Sequence, residues 1–277
     1  MSLRPSSIAV FVAVLALLAL AARRPGIPRA TAADAKDAPA APTAPDVAAT
    51  PVLVELFTSE GCSSCPPADA LLSRLAQTQP VRGADIIALE EHVDYWDRLG
   101  WKDPFSSEAA TSRQGEYGQA FGGNQVYTPQ MIVDGRSEFV GNSDTEALRA
   151  IRAASQVTKP NIQLSWETGD SLAIHVEPLT GASAGDGAQL FLVIAENMLH
   201  SDVKRGENAG RALEHNGVVR QLLPLGKMDA APAGFSSMAV VHPAHEWNRA
   251  NLRAVVFVQE RRGRHVLAVA AIPFPKV

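Results

Sequence analysis

Cys62-Ser63-Ser64-Cys65 constrains this chain more than any other feature. These are the only two cysteines in 277 residues, so neither a disulfide-dense scaffold nor a four-cysteine zinc site is available. Before them, Val52-Leu53-Val54-Glu55-Leu56-Phe57 is a short apolar, β-branched run that reads as a buried strand. After them come Pro66-Pro67, which suit the first turn of a helix, where no N–H donor is needed. Asp69 lies near the positive end of that helix, Leu71, Leu72 and Leu75 give its buried face, and Pro80 ends it. The pair therefore stands between a strand and a helix N-terminus, where backbone N–H groups and the helix dipole stabilise a thiolate. In such a pair the first cysteine is expected to be the exposed one. Cys62 is then the candidate nucleophile and Cys65 the resolving thiol.

Further along, Ile86-Ile87-Ala88-Leu89 predicts a second buried strand running into Glu90-Glu91-His92. An aromatic loop follows with Trp96, Trp101 and Phe105, then a polar helix capped by Ser106 or Ser107 and ending near Phe121. Met131-Ile132-Val133, Asp134-Gly135 and the run from Ser137 to Val140 form a hairpin pattern around a D-G turn. A helix capped by Ser143 or Asp144 carries Leu148 and Ile151 on one face. This order implies a mixed central sheet with helices on both faces. Beyond residue 160 the pattern is strands only: Ile162 to Trp166, Leu172 to Val176, Leu190 to Ala195, Ala254 to Val258 and Val266 to Ile272. The expectation is an α/β domain over 52–158 followed by an all-β, sandwich-like domain over 159–277.

The segments Phe57 to Asp69, His92-Val93-Asp94-Tyr95-Trp96-Asp97, Gly100 to Phe105 and Tyr127-Thr128-Pro129-Gln130 resemble those of a family of secreted bacterial thioredoxin-like proteins, catalogued as a domain of unknown function. Gly206-Glu207-Asn208 and His215 to Arg220 extend the resemblance over most of residues 52–277. It implies a thioredoxin-like fold for the first domain and a cis-proline at Pro129, preceded by Thr128 and packed against the redox pair. Gly61 before the first cysteine and the long interval to Pro129 depart from ordinary thioredoxins, so partner choice is expected to differ.

Other residues carry two readings each. Glu55 is either a buried acid that takes the proton of the resolving cysteine or an edge glutamate facing solvent; a one-residue change of register decides. His92, at the C-terminal end of its strand, either supports the Cys62 thiolate or is bonded within its loop. Trp96, Trp101 and Phe105 floor a peptide groove or pack the long loop. Asp94, Asp97 and Asp103 match no EF-hand and read as turn and cap residues. Glu207, His215 and Arg220 read as a solvated hairpin, or else as a polar bridge between domains.

Arg4 followed by fifteen apolar residues, Ile8 to Ala22, reads as a secretory signal within 1–32, with an uncleaved anchor as the alternative. Residues 33–51, rich in Ala, Pro, Thr and Asp, read as a disordered linker. The whole chain carries 25 basic and 29 acidic residues; loss of four leader arginines leaves 21 basic residues, a net charge of −8. Binding to nucleic acid through an overall basic surface is excluded, and no attraction to anionic membrane is expected after cleavage. An exported location, periplasmic or extracellular, allows the cysteines to pair. No cofactor and no metal ligand set is expected. The leading function is thiol–disulfide exchange with protein or peptide thiols and a further redox partner. The alternatives are a Cu(I)-binding or copper-delivery module using the same cysteines, and an interaction protein with an inert disulfide.

Overall fold

A computed structural model describes residues 49–123, 126–179, 187–228 and 234–275. The signal expected over 1–32 and the linker as far as residue 48 lie outside these residues. The described residues form one compact unit. No helix among the described residues is long and apolar enough to cross a membrane.

The first half runs β1 (Thr50–Thr58), α1 (Pro66–Thr78), β2 (Ala84–His92), α2 (Glu108–Ala120), β3 (Gln130–Val133), β4 (Ser137–Val140) and α3 (Asp144–Ala154). β1 and β2 are parallel, with Thr50 opposite Ala84 and Thr58 opposite His92, and β3 pairs antiparallel with the other side of β1. Ser107 and Ser143 cap α2 and α3 by accepting from the N–H of Ala110 and Glu146. Asp134 and Gly135 both take positive φ, 51° and 62°, as the two central residues of a primed turn require, and the Arg136 N–H closes that turn on Val133 O at 2.9 Å.

The second half holds β5 (Ile162–Trp166), β6 (Ser171–Val176), β7 (Ala188–Glu196), β8 (Leu199–Asp202), β9 (Ala212–His215), β10 (Val218–Met228), β11 (Phe235–Val240), β12 (Leu252–Glu260) and β13 (Val266–Pro273). The boundary expected at 158/159 does not divide the molecule. One eight-stranded sheet passes through both halves in the order β13-β12-β7-β10-β2-β1-β3-β4. The seam is the start of β10, where Val218 pairs with Glu90 and the Glu90 N–H donates to Gly217 O at 2.8 Å. Gly217 has φ +78°, and a β-carbon there would stand 2.7 Å from Ala88 O. Only glycine allows the two halves to meet this closely.

Alternation along β1 and β2 assigns the two faces. Val52, Val54, Leu56, Ile86 and Ala88 pack under α1 and α3. Leu53, Ile87 and Leu89 point the other way and meet Phe191, Val193, Val255 and Phe257. The sheet curls around this second cluster, so that the N–H of Val266, at the start of β13, donates to Asp134 O in the β3–β4 turn at 2.8 Å. α2 lies on this second side, with Tyr117 packed on Phe57 and Ile132. A three-stranded sheet, β11-β6-β5, covers the opposite face of β7 and β12 through Leu172, Ile174, Leu192 and Val256. The second half is thus partly two layers of sheet, but one of those layers is the central sheet itself.

Candidate functional site

Cys62 and Cys65 form a disulfide with Cα atoms 5.4 Å apart. Cys65 is the N-cap of α1, and its carbonyl accepts from the N–H groups of Ala68 and Asp69. The pair therefore lies at the positive end of α1 and at the carboxyl ends of the parallel strands β1 and β2, where open α/β sheets place their sites. Ser64 Oγ is 3.3 Å from Cys62 Sγ. The Thr128–Pro129 peptide is cis. Trp96 ties it to the cysteine loop: its Nε1–H donates to Thr128 Oγ1 at 2.9 Å, and its Cβ lies 3.1 Å from where a β-carbon on Gly61 would stand. A β-carbon on Gly141 would touch both Ala68 Cβ and Pro129 Cβ at 3.3 Å, so the proline also borders the first turn of α1.

One expectation fails at the centre. Cys62 is 0% exposed, as is Cys65. The loop between β8 and β9 packs against the cysteine segment. The fully buried Asn208 donates through Nδ2 to the carbonyls of Glu60 and Cys62, at 2.8 and 2.9 Å. Glu207 accepts from the Ser63 N–H at 3.0 Å. Gly206 rests on Trp101. Expecting an exposed first cysteine treats the strand–turn–helix unit as standing alone; here a segment 146 residues away closes over it.

Beneath this loop lies a buried set of carboxylates and imidazoles. His92 is bonded at both nitrogens: Nδ1 is 2.7 Å from Asp103 Oδ2, and Nε2 is 3.2 Å from Glu90 Oε1. His215 is bonded likewise, with Nδ1 2.6 Å from Glu90 Oε1 and Nε2 3.2 Å from Glu60 Oε1. Burial alone lowers a histidine pKa, but Asp103 and Glu90 hold His92 well above its usual range, and Glu90 and Glu60 raise His215 to about 9. Burial likewise works to raise Glu90, yet the facing His215 and His92 bring it down to about 2. Asp69, one turn beyond Cys65 on the same face of α1, accepts from Thr58 Oγ1 at 2.6 Å. Burial and the nearby Glu90 carboxylate raise its pKa to about 7. Among the described residues, Glu90, His92 and His215 are the set able to hold a metal ion, their ligand atoms lying within 4.8 Å of one another.

The structure therefore brings Cys62, Cys65, Thr128 and Pro129 together and sends Glu55 elsewhere. Glu55 is neither beside the resolving cysteine nor in solvent. Its side chain points from the second face of β1 into α2, where it accepts from Arg113 Nε at 2.6 Å and from the Tyr117 hydroxyl. Arg113 also lies 3.2 Å from Glu91 and donates to Gln259 at 3.1 Å. His92 belongs to the buried set behind the cysteine loop, with neither nitrogen free for sulfur.

The family described as Protein of unknown function (DUF1223) matches residues 53–259. This chain belongs to that family. It is also similar to the X-ray crystal structure of protein AGR_C_4864 from Agrobacterium tumefaciens, with 26% identity and a TM-score of 0.64, covering 83% of this chain and 96% of that one. A domain of the outer membrane lipoprotein Omp28 from Porphyromonas gingivalis aligns at 15% identity and a TM-score of 0.27, covering 43% of this chain and 89% of that one. No curated protein matches the chain. The family spans both halves of the molecule, as the shared sheet does.

His215 is 1% exposed and bonded to Glu60 and Glu90 of the first half, the polar bridge of its second reading rather than a solvated hairpin. Asp103 and Asp69 are interior as well, and Glu60, which no sequence signal singled out, completes the set. Only spacing hinted at the set: Glu90 and His92 stand two apart on one strand and so share a face. Beside it, a groove of about 500 Å³ between α1 and β9 is lined by Pro66, Asp69, Arg74, Leu213, Glu214 and Asn216.

Proposed function

We propose that this protein exchanges disulfides with protein or peptide thiols through Cys62–Cys65, on a thioredoxin-like frame in an exported, oxidising location. The observation that carries the reading is the disulfide itself, closed at the N-terminus of α1 and at the carboxyl end of β1. Exchange starts when the 203–211 loop lifts. A substrate thiolate attacks Cys62 Sγ, the Cys62–Cys65 bond breaks, and Cys65 leaves with the electron pair. The Asp69 carboxyl, buried one turn away with a pKa near 7, is placed to return a proton to that thiolate; this is the role that Glu55 does not fill. A second substrate thiolate then attacks the substrate sulfur of the mixed disulfide and releases Cys62. The substrate leaves as a disulfide and the protein as a dithiol. Exchange with a further disulfide partner restores the starting state. The helix dipole and the Ser64 hydroxyl favour Cys62 as thiolate in the reduced form.

A second reading, an inert disulfide in an interaction protein, draws on the complete burial of both cysteines. One experiment separates the two. The protein is equilibrated in graded glutathione buffers, and the reduced Cys65→Ser variant is incubated with an unfolded peptide that carries a disulfide. Exchange is supported by a glutathione-dependent transition together with a mixed disulfide trapped at Cys62. A bond that stays closed at every ratio, with nothing trapped, supports the inert reading.

A further inference from the structure

We propose that Glu90, His92 and His215 form a binding site for one divalent transition-metal ion of the zinc class. The inference goes beyond disulfide exchange and does not depend on it.

The argument begins with the outer nitrogens. His92 Nδ1 faces Asp103 Oδ2, which already accepts from the Glu60 N–H at 2.8 Å. His215 Nε2 faces Glu60, whose other oxygen accepts from Trp101 Nε1 at 2.7 Å and from Ser201 Oγ at 3.1 Å. Carboxylates held in this way accept, so both outer ring nitrogens carry the hydrogen. The inner nitrogens, His92 Nε2 and His215 Nδ1, then both point at the same oxygen, Glu90 Oε1. With both rings doubly protonated, the inner N–H groups donate to that oxygen. A metal ion would take the place of those two inner hydrogens, held by three ligand atoms that already lie within 4.8 Å of one another. A carboxylate behind each ligating histidine, fixing its orientation and raising its basicity, is the usual outer shell of a metal centre.

Dimensions and charge agree. Four-coordinate zinc with bonds of about 2.0–2.1 Å keeps its ligand atoms roughly 3.3 Å apart. The His92–Glu90 separation is already 3.2 Å, the 2.6 Å His215–Glu90 contact must lengthen by about 0.7 Å, and all three ligand atoms lie within 4.8 Å of one another. A dication offsets two of the three carboxylate charges of Glu60, Glu90 and Asp103. Imidazole and carboxylate donors without thiolate suit zinc and its neighbours in the first transition row. The ligands come from β2 and β9, and the outer carboxylates from the loops after β1 and β2. The ion would thus join the two halves of the chain behind the cysteine loop.

The test uses the full chain with its disulfide oxidised, so that no thiolate competes. The protein is stripped with a chelator, unfolded, and refolded with and without one equivalent of Zn(II). The expected result is 1:1 binding that survives gel filtration, with the ring-nitrogen resonances of His92 and His215 shifted in long-range proton–nitrogen spectra of the wild-type protein. Co(II) in place of Zn(II) gives the visible absorption of a four- or five-coordinate nitrogen–oxygen site. His215→Gln weakens binding by at least about 100-fold, and Asp103→Asn, which removes only an outer carboxylate, by roughly 10–100-fold. Loss of Zn(II) on gel filtration of the wild type overturns the proposal. So do shifts confined to His175, His200, His242, His245 or His265. The wild-type spectra decide the matter even if a variant fails to fold.

Discussion

Asp69 shows how one buried side chain ties stability to pH. Burial and Glu90 hold its folded pKa near 7, against 3.8 for the free group, while His92 and Glu90 of β2, His215 of β9 and Thr58 of β1 all face it. The folded state binds the proton more tightly than the unfolded one, so this group costs stability progressively as pH rises from about 4 to about 7 and no further above that. In metal-free protein the Asp69→Asn variant should lose that slope, a difference on the order of 4 kcal/mol across the window. Urea unfolding at pH 4 and pH 8 checks it: equal slopes in wild type and variant would refute it. On the other face of the sheet, Arg113 answers Glu55 and Glu91, with its guanidinium over the rings of Phe257 and Tyr117. Arg113→Met strands those carboxylates in the interior and should cost about 3–5 kcal/mol by urea unfolding. Sequence left Glu55 between a buried acid beside the resolving cysteine and an edge residue in solvent, because alternation along a strand cannot say which face α1 will occupy. That choice is made by packing, and it turned Glu55 from a candidate in the thiol chemistry into the partner of Arg113.

Among the elements, β1, α1, β2, the β3–β4 hairpin and α3 were all legible, because each carries its own apolar pattern, cap or turn. The β8–β9 hairpin was read only as a solvated one. It is short and polar, and its loop is held by partners far away in sequence. Yet this loop bonds directly to the backbone of the cysteine segment. Asn208 makes two hydrogen bonds across to Glu60 and Cys62, while its own Oδ1 is buried without a donor. An unsatisfied buried acceptor costs about 1–3 kcal/mol, which brings the open form nearer in energy. Asn208→Ala removes both bonds to the cysteine loop. In the reduced protein, alkylation of Cys62 by iodoacetamide should then speed up roughly tenfold, the equivalent of about 1.4 kcal/mol. An unchanged rate would mean that another segment shields the sulfur.

At the scale of the molecule, two separate domains were expected and one continuous sheet was found. Apolar strands can be read from local sequence; the edge against which a strand docks cannot. The Val218–Glu90 junction joins strands nearly half the chain apart and is marked only by Gly217, whose need appears once Ala88 O is seen beside it. A chain ending at residue 158 would leave Leu53, Ile87 and Leu89 without Phe191, Val193, Val255 and Phe257. Such a fragment should lack the near-ultraviolet circular dichroism of the full protein and bind a hydrophobic dye; native-like spectra would show that the first half folds alone. The same long connection has a consequence for synthesis. Cys62 leaves the ribosome 146 residues ahead of Asn208, whose amide later bonds to its carbonyl. Throughout that interval the cysteine loop lacks this partner, so its last hydrogen bonds are fixed only after most of the chain has been made.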